Sequence, residues 1–174
     1  MAGAHRRTAS VVVIRPATPV TETRAERVEV GQRALSRLAG ADYADAFRVA
    51  SGNRHPAEQW ARRAFEGRPG AARRLFVLVA WQGVLGLRLA PPESPGHLAG
   101  WAIVENEPAI LTLHAESSLM VARMVIDVSD SHTTLTTLLR YERPAARGVW
   151  AVAGIAHRTL APRVLVRAGR SLTR

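Results

Sequence analysis

The sequence predicts an α+β fold: a curved antiparallel sheet wrapped around a long C-terminal helix, with two short helices between the first strand and the remaining strands. Three observations carry this expectation. From Leu98 to Tyr141, runs of alternating apolar and polar residues follow one another with tight turns between them, the period-two pattern of half-buried strands. Tyr43 to Val49 alternates in the same way far upstream, with helical patterns in between. After Pro144 a long, Arg-studded and largely apolar stretch reads as one helix.

Taken in order, residues 1–25 are polar, carry Pro16 and Pro19 and show no sustained period, so they read as a flexible basic extension. Residues 26–174 read as a single domain, long enough to bury a real core. Arg27 to Val30 reads as a short strand and Gln32 to Leu38 as a short helix ended by Gly40. Tyr43 to Val49 is a strand, broken by Ser51-Gly52-Asn53. A helix begins at Pro56, with Trp60, Ala61, Ala64 and Phe65 on one face. Another is expected from Ala71 to about Leu85, followed by an irregular, Pro-rich loop to Gly96.

Turn parity makes the sheet readable. A two-residue turn at Ser117-Ser118 would pair Ala115 with Met120, Leu113 with Ala122 and Leu111 with Met124. A turn at Ser129-Asp130 would pair Met124 with Leu135, Ala122 with Thr137 and Met120 with Leu139. Both turns put Leu111, Leu113, Ala115, Met120, Ala122, Met124, Ile126, Leu135, Thr137, Leu139 and Tyr141 on one dry face. Thr112, His114, Glu116, Arg123, Asp127, Thr134, Thr136 and Arg140 fall on the other, which reads as wet. Trp101 and Ile103 are placed inward by size, which demands an odd-length turn after their strand. In the last helix, Pro162 is expected to kink or end the helix. Beyond it Arg163, Arg167, Arg170 and Arg174 form one basic stripe at spacings of four, three and four.

Composition excludes several chemistries. There is no cysteine, hence no disulfide, thiolate metal site or cysteine nucleophile. There is no lysine either, so all 24 basic residues are Arg, as GC-rich codon bias of an actinobacterial kind would produce. That removes Schiff-base chemistry and a P-loop. The net charge of +10 sits at the ends: residues 1–40 carry +4, residues 41–140 sum to zero, and residues 141–174 carry +6. Basic ends point to an anionic membrane or nucleic-acid contact, or simply to solubility. His5-Arg6-Arg7 before Val11 to Ile14 imitates a targeting signal, but the apolar run is too short for one. The expectation is a cytoplasmic protein, peripheral to the membrane if the basic helix docks there.

The order strand, two helices, antiparallel strands and long final helix resembles the helix-grip fold of the START, Bet v 1 and polyketide-cyclase-like superfamily. Ala41-Asp42-Tyr43-Ala44-Asp45-Ala46-Phe47, then Gly86-Leu87-Arg88-Leu89 before the Pro-rich loop, then Ala145-Ala146-Arg147-Gly148-Val149-Trp150 resemble the bacterial DUF2867 family in particular. The resemblance implies a cavity between sheet and helix. It carries no shared catalytic residues.

The inward face reads either as packed core or as the wall of a ligand cavity. Met120 and Met124 leave adaptable space among Leu111, Leu113, Leu135 and Leu139. Thr137 and Tyr141 offer hydroxyls to orient a ligand, and Trp101 and Trp150 stand where they could close the ends. His157 is the histidine nearest this face, and Asp45 shares a strand face with Tyr43 and Phe47. The expected function is binding or transport of a small apolar or amphipathic ligand. The alternatives are a cyclase- or hydrolase-like enzyme, with His157 or Asp45 as its ionisable group, and a peripheral membrane or interaction protein. No catalytic motif, metal-ligand spacing, sequence-reading DNA helix or cofactor loop is present in the sequence. His114, Glu116 and Arg123 are expected to be exposed polar residues.

Overall fold

The computed structural model describes residues 24–52, 55–67, 79–91 and 94–173. Among these residues, seven strands form one antiparallel sheet: β1 (Glu26–Val28), β2 (Tyr43–Ala50), β3 (His97–Leu98), β4 (Trp101–Glu107), β5 (Ile110–Glu116), β6 (Met120–Val128) and β7 (His132–Tyr141). Their order is β1-β2-β7-β6-β5-β4-β3. Helix α1 spans Gln32–Leu35, α2 spans Ala57–Phe65 and α3 spans Ala145–Leu172. α3 lies against α2, β2 and β7. This is the helix-grip arrangement.

Alternation decides the faces. Tyr43, Asp45 and Phe47 of β2 stand opposite Leu139, Thr137 and Leu135 of β7, all on the α3 side. Leu111, Leu113, Met120, Met124, Leu135 and Leu139 join one buried cluster with Trp60 of α2 and Trp150, Ala161 and Leu165 of α3. Each leucine so buried contributes roughly 1.5–3 kcal/mol relative to exposure.

Both hairpins turn one residue later than parity alone suggested. Ser117 pairs with Met120 around Ser118-Leu119, and Ser129 pairs with His132 around Asp130-Ser131. Each register is therefore two residues from the expected one: Ala115 faces Ala122, Leu113 faces Met124, Met124 faces Thr137 and Met120 faces Tyr141. A shift of two keeps every side chain on its expected face. The Ser117 hydroxyl accepts from the amides of Leu119 and Met120, which anchors the first turn where it is.

β4 and β5 join through a two-residue turn at Pro108-Ala109, yet Trp101 and Ile103 do point inward. The odd count sits in the strand: a bulge at Val104 separates the Ile103↔Leu113 pair from the Glu105↔Thr112 pair. The loop after the helical segment straps this edge, with Arg88 N–H donating to Glu116 and Ala90 N–H to Gly100. Gly100 has φ +85°, and a Cβ there would stand 2.7 Å from the Ala90 carbonyl oxygen, so only glycine fits this turn.

The face expected to be wet is half covered. Ala34 and Leu38, on and just after α1, pack on Ile110, Val125 and Leu138 to form a second small core. Thr112 and Thr136 are buried beside it. The helical segment expected from Ala71 appears in its described part as a π-helical turn, Val79–Val84; residues 71–78 lie outside the described residues. So does nearly all of the extension 1–25. Pro56 caps α2 rather than opening it. Pro162 does not end α3, which runs through it unbroken to Leu172. Among the described residues, no helix is long and apolar enough to cross a membrane.

Candidate functional site

The polar centre of the inward face is built by β2 and α3. Two-residue alternation sends Tyr43, Asp45 and Phe47 to the same side, while Trp150 and His157, seven residues and so two turns apart, project from one side of α3. Asp45 is 1% exposed. The Tyr43 hydroxyl donates to its Oδ2 at 2.6 Å, and Nε2 of His157 lies 3.2 Å from its Oδ1. A buried carboxyl group needs such partners. Burial, followed by the neighbouring Asp45, pushes the Tyr43 phenol up to about 12. Trp150 sits edge-on to Tyr43 at 5.0 Å between ring centroids and tilted over His157 at 5.3 Å.

The indole N–H of Trp150 is buried and has no acceptor among the described residues, and the same holds for Trp60 and Trp101. Gly154, one turn beyond Trp150, brings the backbone close: a Cβ there would be 3.3 Å from the Trp150 Nε1 and 3.0 Å from Nη1 of Arg158. Trp150 N–H and the Arg158 guanidinium thus lie side by side at the rim of this cluster.

The expected ligand-facing residues do share one face. Leu111, Leu113, Met120, Met124, Leu135 and Leu139 are buried, and Thr137 pairs directly with Asp45. Trp101 lies on β4, with β5, β6 and β7 between it and the β2 cluster, so it and Trp150 stand at opposite ends of the inward face. Trp101 packs edge-on against Trp81 at 5.2 Å. Tyr141 stands apart from the Asp45 cluster; burial and then Asp42 raise its phenol. The residue pattern gives the hydroxyl roles to Thr137 and Tyr141 and names Asp45 and His157 as the ionisable candidates; the Tyr43 hydroxyl is the member of the cluster it leaves out. Its signal is the place of Tyr43 beside Asp45 on one strand face.

On α3, Arg163, Arg167 and Arg170 are exposed, and Arg174 lies outside the described residues. His114, Glu116 and Arg123 differ from the expectation. Glu116 is exposed, but His114 and Arg123 are half-buried. Desolvation, then Arg123, lowers the His114 imidazole. Arg123 donates to the carbonyl of Arg37, whose guanidinium holds Glu105 at 2.5 Å. That bond, opposed by desolvation and aided by Thr112, draws the Glu105 carboxyl below its usual range.

Two open depressions, of about 500 and 420 Å³, lie on this outer side of the sheet, the first beside Arg33, Arg48 and Asp127, the second beside Arg37, Glu105 and Arg123. Neither reaches the inward face. Among the described residues, no group of three or more acidic or histidine side chains is placed to hold a metal ion. No family model, no curated protein and no solved structure matches this chain.

Proposed function

We propose that the protein is a cytoplasmic carrier that binds or transports a small apolar or amphipathic ligand between the sheet and α3, without catalysis. One observation carries the reading: the buried indole donors of Trp60, Trp101 and Trp150 have no acceptor among the described residues, within a largely apolar cluster. A buried donor without an acceptor costs about 1–3 kcal/mol, so a ligand oxygen reaching one of them would gain that bond at little competing cost. Met120 and Met124 supply deformable walls. The Tyr43–Asp45–His157 cluster would orient the polar end, with Trp101 and Trp150 at the two extremities. Membership of the START, Bet v 1 and polyketide-cyclase-like superfamily, near the DUF2867 family, is part of this proposal. The strand order and the position of α3 support it.

Native mass spectrometry of protein purified from its own host tests the reading. A co-purifying apolar or amphipathic molecule, released on denaturation and reduced in Trp150→Phe, is the expected result. Protein that carries nothing and binds no apolar dye overturns it.

The His157–Asp45 contact favours one competing reading, a cyclase- or hydrolase-like enzyme acting on a bound polyketide or lipid. A carboxylate behind a histidine orients the ring and supports proton transfer at its other nitrogen. Turnover of bound molecules, abolished in His157→Gln, would select this reading over carriage.

A further inference from the structure

The outward face of α3 divides into two parts. In its first half Val152 and Ile155 are 71% and 63% exposed, with Ala151 and Ala156 exposed beside them and Leu160 at 36%. In its second half the same side presents Arg163, Arg167 and Arg170. The helix holds five arginines, with Arg147 and Arg158, and no acidic residue at all. Isolated exposed apolar residues need no explanation, but Val152 and Ile155 are three apart and so adjacent on one helix face.

Three occupants could cover such a face. A second copy meeting it through a two-fold axis would set the arginines either against one another or against the Val152 and Ile155 of its mate, with no acid on the helix to offset them. Nucleic acid would use the arginines and leave Val152 and Ile155 in water. An anionic bilayer uses both, the arginines at the phosphates and the apolar pair at the acyl boundary. We infer that α3 docks its outward face on an anionic membrane surface, lying in the plane of the interface with Val152 and Ile155 inserted. Charge complementarity decides the choice, and the inference does not depend on the proposed ligand.

The absence of cysteine makes the test direct. Ile155→Cys is labelled with an environment-sensitive fluorophore and mixed with vesicles of phosphatidylcholine alone or with phosphatidylglycerol added. Glu107→Cys, exposed at the end of β4, serves as the reference label. The expected result is a blue shift at residue 155, none at 107, on anionic vesicles only, reversed by high salt. Arg163→Glu with Arg167→Glu and Arg170→Glu should lower partitioning by on the order of tenfold or more, and Val152→Ser with Ile155→Ser should lower it without changing the thermal melt. No co-sedimentation at low salt overturns the inference. So does binding that survives the three charge reversals, or a label at 155 that stays in water while the protein is bound. A dimer in light scattering that the same substitutions dissociate would assign the face to a second copy and also overturn it.

Discussion

Asp45 and His157, 112 residues apart in the chain, meet at 3.2 Å across the junction of β2 and α3. The contact ties the start of the sheet to the last helix, and the Tyr43 hydroxyl completes it from the other side at 2.6 Å. Asp45→Ala takes the acceptor from the half-buried Tyr43 hydroxyl and the partner from His157, so unfolding free energy in urea should fall by about 1–3 kcal/mol. Tyr43→Phe should cost less, about 1 kcal/mol. An Asp45→Ala protein as stable as the parent would dissolve the cluster as a structural unit.

The Tyr43–Asp45 contact predicts a response to alkali. A phenol raised from 10 to about 12 favours the neutral form in the folded state. Its contribution to stability is complete below about pH 10 and is lost as pH rises through about 12. Ultraviolet titration should resolve one late tyrosine. In Asp45→Ala it should move down only part of the way, because burial is the larger cause.

At the other end of the pH scale, His114 has a lowered imidazole through desolvation and Arg123, opposed by Glu116. A lowered value in the folded state means that stability is complete above the ordinary 6.5 and declines as pH falls through the lowered value. The melting temperature of the parent should therefore drop more steeply between pH 7 and pH 5 than that of His114→Gln. Parallel profiles for the two proteins would place His114 in open solvent.

Met124 is 5% exposed and stands between Leu113 and Thr137. Met124→Trp distinguishes cavity from core. Overpacking a full core costs about 1–3 kcal/mol. With a ligand space present, apolar dye binding should fall and stability change little. Clear destabilisation together with a parent that binds no dye would make the inward face ordinary core.

The two faces of the sheet were legible before any coordinates because the pleat repeats every two residues. Both hairpin turns were misplaced by one residue, yet Leu113, Met124 and Leu139 stayed inward, since the resulting register error is two. Coverage of the outer face escaped notice. Ile110, Val125 and Leu138 occupy outward positions and are fully buried, and three apolar residues there were the sign that Ala34 and Leu38 would cover them. The Asp45–His157 contact had no local signal, because nothing in a strand of eight residues says which turn of a helix 112 residues away will reach it. The sequence leaves open whether Pro162 kinks or ends the last helix, and α3 continues through it. One proline removes a single hydrogen bond, and the buried contacts of Ala161, Leu165 and Ala168 on the same helix outweigh that loss.

Val104 is skipped by the β4–β5 ladder between two paired residues, Ile103 and Glu105. Without it, Glu105 would follow directly on Ile103, Ile103 would still face Leu113, and Trp101 would still fall on the inward side. The chain is therefore longer by one residue than its pairing requires, at a half-exposed site. Removing Val104 shortens the protein yet straightens the strand, whereas removing Ala102, two residues away, takes out a partner of His114. It would also turn Trp101 toward water. Tolerance to a change in length should thus differ sharply between these neighbouring positions, for a reason that lies in counting rather than in chemistry.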